Sequence, residues 1–155
     1  MGNWFTKKPS QQLPQPPVAP EPWAVWMRSH IGEVERTGSP PSDFDKMIFS
    51  HTTFGDLNGQ MESGCAATIC AALELTGYKS PHSAAALSFV KYGTPCSIMP
   101  GAICVFNFGG GDHHVSICES VDGGFGIFLG GNQSHYLQRA TYPLSAVIAV
   151  RWPVK

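Results

Sequence analysis

Hydrophobic and polar positions change their period along this chain, and each change marks an element. From Pro22, residues Trp23, Met27, His30 and Val34 fall at i, i+4, i+7 and i+11, one stripe of a helix, until TGSPP ends it. His30 on that stripe reads as a satisfied core histidine rather than a ligand. Residues 39–63 are loop-like apart from Phe44, Met47, Ile48 and Phe49, which suit one short helix. In ESGCAATICAALELTGYKS, residues Ala66, Ile69, Cys70, Ala72 and Leu73 make a small-residue apolar face, with Gly77 as its stop. Ser63 is the expected N-cap, which puts Cys65 in the first turn. A further helix is expected from Pro81, capped by Ser80 and stopped near Gly93. After TPCSIMPG the period becomes two, with strands expected at 102–107, 113–119, 125–129, 135–140 and 146–151, separated by glycine-rich turns. Helices first and a meandering antiparallel sheet second reads as α+β.

Composition narrows the function classes. The 155 residues suit one domain, and the stretch KKPSQQLPQPPVAPEP divides a proline-rich arm (1–21) from that domain (22–155). A net charge of −1 supplies no basic field for nucleic acid and no polybasic membrane patch. No apolar run is long enough for an integral membrane segment, and the N-terminus lacks the apolar core of a signal peptide. MGNWFT fits the short myristoylation pattern, which matches often by chance. Five cysteines, an odd number with no repeated C-x-x-C pair, argue against a disulfide framework and a structural zinc site.

One cysteine stands apart. A thiol in the first turn of a helix meets outward-pointing N–H groups and the positive end of the dipole, which lower its pKa and make a nucleophile. The alternative is that Cys65 only fills space. In GGGDHHVSIC the adjacent histidines must point to opposite strand faces. His113, Val115 and Ile117 share a bulky face; His114, Ser116 and Cys118 share a small one. A helix of alanines beginning at Cys65 should lie on the small face, so His114 is expected to meet Cys65. A third polar group would fix the imidazole tautomer. LGGNQSH offers Asn132, with Gln133 and His135 as rivals; the glycosylation sequon Asn132-Gln133-Ser134 is read as coincidence. A metal site from Asp112, His113 and His114 is disfavoured because strand neighbours diverge.

The blocks EPWAVWMRSHIGEVERTG, GCAATICAALELTG, PGAICVF, HHVSIC, FLGGNQ and VRWP, in that order, resemble the NlpC/CHAP superfamily of papain-like cysteine peptidases and amidases of bacteria and phages. The likeness spans about residues 22–153. It implies a papain-like fold: N-terminal helices packed on an antiparallel meandering sheet, with the nucleophile at a helix N-terminus. It also implies cleavage of a peptidoglycan amide bond, either within the stem peptide or at the N-acetylmuramoyl–alanine link. The nucleophile falls on Cys65, the general base on His114 and the orienting residue on Asn132. Gly64 stands where the family usually has tryptophan, and Ser116 where its His-Val-Gly motif has glycine.

The implied chemistry is acyl transfer without metal or cofactor. Cys65 attacks the carbonyl, and its own N–H with a nearby side chain holds the oxyanion. Gln60, Glu62 and Gly64 are the substrate and oxyanion candidates. His114 protonates the leaving amine and then activates water. A monomer made without a signal peptide and acting on the cell wall suits a phage lysin or an injected antibacterial effector; an effector would come with an immunity protein. The alternatives are a non-catalytic wall-binding or phage structural module, and a cysteine deamidase or acyltransferase acting on protein.

Overall fold

A computed structural model describes residues 19–33, 41–53, 64–133 and 135–155. Ala19 is fully buried, and its carbonyl accepts a hydrogen bond from the Arg28 guanidinium. Residues 1–18, most of the proline-rich stretch, lie outside the described residues.

Helix α1 (Pro22–Ser29) starts with proline, whose fixed φ suits a first helical position, and buries Trp23, Ala24 and Met27. It stops a turn earlier than its stripe suggests. His30 is its C-cap and Gly32 has φ +99°, while Val34 falls outside the described residues. Helix α2 (Asp43–Phe49) opens with a capping box: Ser42 Oγ accepts from the Asp45 N–H at 3.0 Å, and Asp45 Oδ2 accepts from the Ser42 N–H at 2.8 Å. Helix α3 (Cys65–Leu75) is the central one, with residues 65–73 all buried.

Six strands form one antiparallel sheet: β1 (Thr94–Pro95), β2 (Ile103–Asn107), β3 (His113–Asp122), β4 (Phe125–Gln133), β5 (Tyr136–Pro143) and β6 (Val147–Trp152). Their order is β1-β6-β2-β3-β4-β5, so only β2 to β5 meander and β6 returns to pair with β1 and β2. The expected α+β, papain-like arrangement of N-terminal helices on a meandering sheet is overturned. Among the described residues the fold is a strand-rich antiparallel sheet with three short helices, and only 28% of those residues are helical. The helix expected between Pro81 and Gly93 is the main loss. His82 and Gly93 take left-handed backbone (φ +51° and +58°), which no α-helix accommodates, and only a 3₁₀ turn over Ala86–Phe89 forms.

The sheet is curled. Tyr142 on β5 and Phe106 on β2 have ring centroids 5.1 Å apart, although β3 and β4 lie between their strands. In a flat sheet that separation would be about three strand spacings, roughly 14 Å. Bulges at Val105/Phe106, Cys118/Ser120 and Gly130/Gln133 supply local bends. The inside of the curl holds Cys104, Phe106, Cys118 and Phe128. On the outside, Val105, Val115, Ile117 and Leu129 pack with Trp23, Ile69 and Leu73 of the helices. Glu119, at the second bulge, accepts from Arg28 Nη1 at 2.7 Å and Arg139 Nε at 2.8 Å, tying α1 and β5 to β3.

Candidate active site

Cys65 is the first residue of α3, and Gly64 is its N-cap in place of the expected Ser63. Ser63, Gln60 and Glu62 lie outside the described residues. The Gly64 carbonyl is held by both the N–H and the hydroxyl of Thr68, at 2.9 and 2.7 Å, which anchors the first turn. Cys65 is only 2% exposed, yet it lines an open cleft of ≈ 220 Å³. The opposite walls are the 84–87 segment and the pair Gly111 and His113. The loop leading to that segment is tied to the far end of α3, where Glu74 accepts from the Ser80 hydroxyl at 3.0 Å and lies 3.2 Å from His82 Nδ1.

The adjacent histidines do point to opposite faces, but α3 covers the face opposite to the one its alanines suggested. Val115 and Ile117, in phase with His113, pack with Ala66, Ala67 and Ile69. His114, Ser116 and Cys118 face the inside of the curl. The small-on-small pairing failed because packing needs complementary volumes: alanines on a helix leave room that branched strand residues fill. His113 therefore shares the cleft with Cys65.

His114 is 7% exposed and sits among aromatic rings, with Tyr142 edge-on at 5.5 Å and Phe106 at 6.1 Å. Its Nε2 lies 3.0 Å from Gln133 Oε1 and 2.7 Å from Ser116 Oγ. The Gln133 amide nitrogen donates to the carbonyls of Phe128 and Gln138, which fixes the orientation of the amide. Gln133 Oε1 can then only accept, so Nε2 carries the proton and Nδ1 keeps the lone pair of the neutral ring. Burial lowers the His114 pKa from the usual imidazole value, while the Gln133 bond and Asp112 act in the opposite direction. Gly130 makes the network possible: a Cβ there would stand 2.5 Å from Ser116 Oγ and 2.7 Å from Gln133 Oε1.

Asn132 is half-buried with φ +53°, inside the β4 bulge. That bulge turns Gln133, one of the two rivals, toward His114. His135, the other rival, is exposed with φ +67°. Sequence reasoning did not find Ser116 as a hydrogen-bonding member, nor Tyr142. Burial first, then the negative charges of Cys65 and Asp112, push the Tyr142 hydroxyl up to about 12. Tyr142 thus touches His114 with its ring and feels Cys65 through its hydroxyl. Cys65 and His113 thus share the cleft where α3 and β3 begin, while the neighbouring His114 makes ring contact with Tyr142 on the other face of β3.

The other thiols are poor nucleophiles. Burial raises Cys70, Cys96, Cys104 and Cys118, the last to about 11. No disulfide joins any of the five cysteines. Among the described residues, no cluster of three or more His, Cys, Asp or Glu side chains is arranged to hold a metal ion, and no helix is long and apolar enough to cross a membrane. No protein-family model and no curated protein matches the chain.

Proposed function

We propose that this chain is a cysteine-dependent hydrolase of peptidoglycan amide bonds, of the NlpC/CHAP kind, with Cys65 as nucleophile and His114 as base. One observation supports the catalytic part: a buried imidazole whose Nε2–H is held by an immobilised glutamine, leaving Nδ1 basic, on the residue next to His113, which shares the cleft of Cys65. The wall substrate rests on the ordered motifs from PGAICVF to VRWP. Asn132 is the orienting residue implied by the resemblance; Gln133 is better supported by its contacts.

In this reading the Cys65 sulfur adds to the amide carbonyl while its proton passes to His114. The oxyanion is held by the Cys65 N–H at the start of α3. The C–N bond breaks as His114 returns the proton to the leaving amine. Water then attacks the thioester with Nδ1 of His114 as base, releasing the acid and restoring the thiol. His113 lines the substrate side of the cleft.

Incubation with purified sacculi, followed by mass spectrometry of the soluble products, tests the proposal. Muropeptide release that disappears in Cys65→Ala supports it. Unchanged release in that variant, or binding to sacculi without any release, refutes it, the latter in favour of a wall-binding module.

A further inference from the structure

A second open cleft, of ≈ 450 Å³, lies where β1 meets β6 and shares no lining residue with the cleft of Cys65. Val147, Ile148 and Val150 come from β6, and Ile98 from the loop after β1. Val90, the C-cap of the Ala86–Phe89 turn, and Leu144, first residue of the 3₁₀ turn Leu144–Ala146, complete the apolar lining. The cleft is anchored to the sheet at two points. The Leu144 N–H donates to the Gly124 carbonyl at 2.8 Å, and the Cys96 N–H to the Val150 carbonyl at 3.2 Å. Among the described residues that line it, Arg151 alone carries a charge. Arg151 pairs with Pro95 in the β1–β6 register, is half-buried, and has a buried Nε with no hydrogen-bond partner among the described residues. Burial raises the Cys96 thiol and the Arg151 charge acts against that rise, which sets the guanidinium near the sulfur.

We propose that this cleft binds a medium-chain fatty acid, its carboxylate on Arg151 and its tail along Val90, Ile98, Leu144 and Val147. The volume lies within the range of small-molecule sites, about 300–1,000 Å³, and so does the pattern of apolar walls with one fixed polar group. A guanidinium fork matches the geometry of a carboxylate, and an anion set along its Nε edge relieves a buried N–H that is otherwise unpaired. One cation balances one negative charge. A phosphate dianion or a polyol would carry further polar groups into walls that offer them no partner. A hydrocarbon tail asks for none, whereas a peptide would bring amides that Pro95, lacking an N–H, cannot meet.

Cys96, which lines the cleft, reports its occupancy. The intact chain is labelled with N-ethylmaleimide, and the rate at Cys96 is read by peptide mapping against increasing decanoate, decanol or butyrate, all below micelle-forming concentrations. Decanoate should slow Cys96 labelling at a concentration about tenfold below that of decanol. Butyrate, with too little tail to bury, should not slow it over the same range. Labelling at Cys65 should keep its rate. Arg151→Gln should remove the advantage of decanoate over decanol and leave the protection by decanol in place. No protection by decanoate, equal protection by decanoate and decanol, or an advantage that survives in Arg151→Gln overturns the proposal. Equal slowing at Cys65, or a Cys96 that never labels without ligand, overturns it as well. A leucine-ended peptide acid that protects better than decanoate overturns the choice of a fatty acid. Should Arg151→Gln fail to fold, the parent chain decides by itself: decylammonium, with the same tail and the opposite charge, should protect less than decanol, and equal or better protection overturns the role of Arg151. None of these outcomes depends on whether Cys65 hydrolyses sacculi.

Discussion

Gln133 meets His114 through an oxygen that can only accept, because its amide nitrogen is committed to the carbonyls of Phe128 and Gln138. The pair fixes which imidazole nitrogen is basic. It also makes the two candidates for the orienting role separable by mutation.

Gln133→Ala should lower turnover on sacculi by about tenfold to ten-thousand-fold. Gln133→Glu should move the acid limb of the pH–rate profile upward, since a carboxylate beside Nε2 favours the charged ring. Asn132→Ala should cost less than Gln133→Ala. The reverse ranking would return the orienting role to Asn132.

Gly130→Ala tests whether the network depends on a missing side chain. The added Cβ would meet Ser116 Oγ and Gln133 Oε1 at 2.5 and 2.7 Å, and neither group can retreat without breaking a buried bond. The expected loss is about 1–3 kcal/mol in urea unfolding, with slower turnover. Wild-type stability and rate together would show that the network relaxes freely.

The strand pattern was legible because period two survives wherever one face is apolar: the expected 102–107, 113–119 and 146–151 lie close to β2, β3 and β6. What could not be read were the bulges. One extra residue before Gln133 moves its side chain to the opposite face, and simple alternation points to Asn132 instead. The bulge at Cys118/Ser120 similarly hid the part played by Glu119. The curl that brings Tyr142 to His114 is a long-range consequence of these bends, with no local signal. Helix N-terminal placement of Cys65 was legible from the apolar run that follows it, whereas the face α3 covers depended on volume complementarity with Val115 and Ile117.

Buried His114 should make stability fall on mild acidification. Its folded pKa lies below the unfolded value of about 6.5. The unfolded chain therefore binds more protons between those two values, and stability drops as pH falls through that window. The His114→Gln variant should lose less stability than the wild type between pH 7 and pH 5, compared by urea midpoints. Parallel losses in both proteins would assign the effect to other groups.

Glu119 holds two guanidinium groups from a largely buried position. Glu119→Ala leaves Arg28 without its carboxylate beneath α1, while Arg139, nearly half-exposed, can turn to solvent. A loss of about 2–3 kcal/mol is expected, below the figure for a fully buried pair because of that solvent access. Double-mutant cycles with Arg28→Ala and Arg139→Ala should assign most of the coupling to Arg28.

The adjacent histidines provide the sharpest test of the proposed chemistry. His113 lines the cleft with Cys65, so it should affect how substrate binds; His114, held by Gln133, should affect how the thiol reacts. Iodoacetamide labelling of the folded protein across pH, with peptide mapping to isolate Cys65, reads the second property directly. In His114→Ala the rise in labelling should move to higher pH, because the thiolate loses its proton acceptor, and hydrolysis should nearly vanish. In His113→Ala the labelling curve should stay in place while KM rises. If His113→Ala moves the curve and His114→Ala does not, the base is the cleft histidine, and the buried Gln133–Ser116–His114 network is structural.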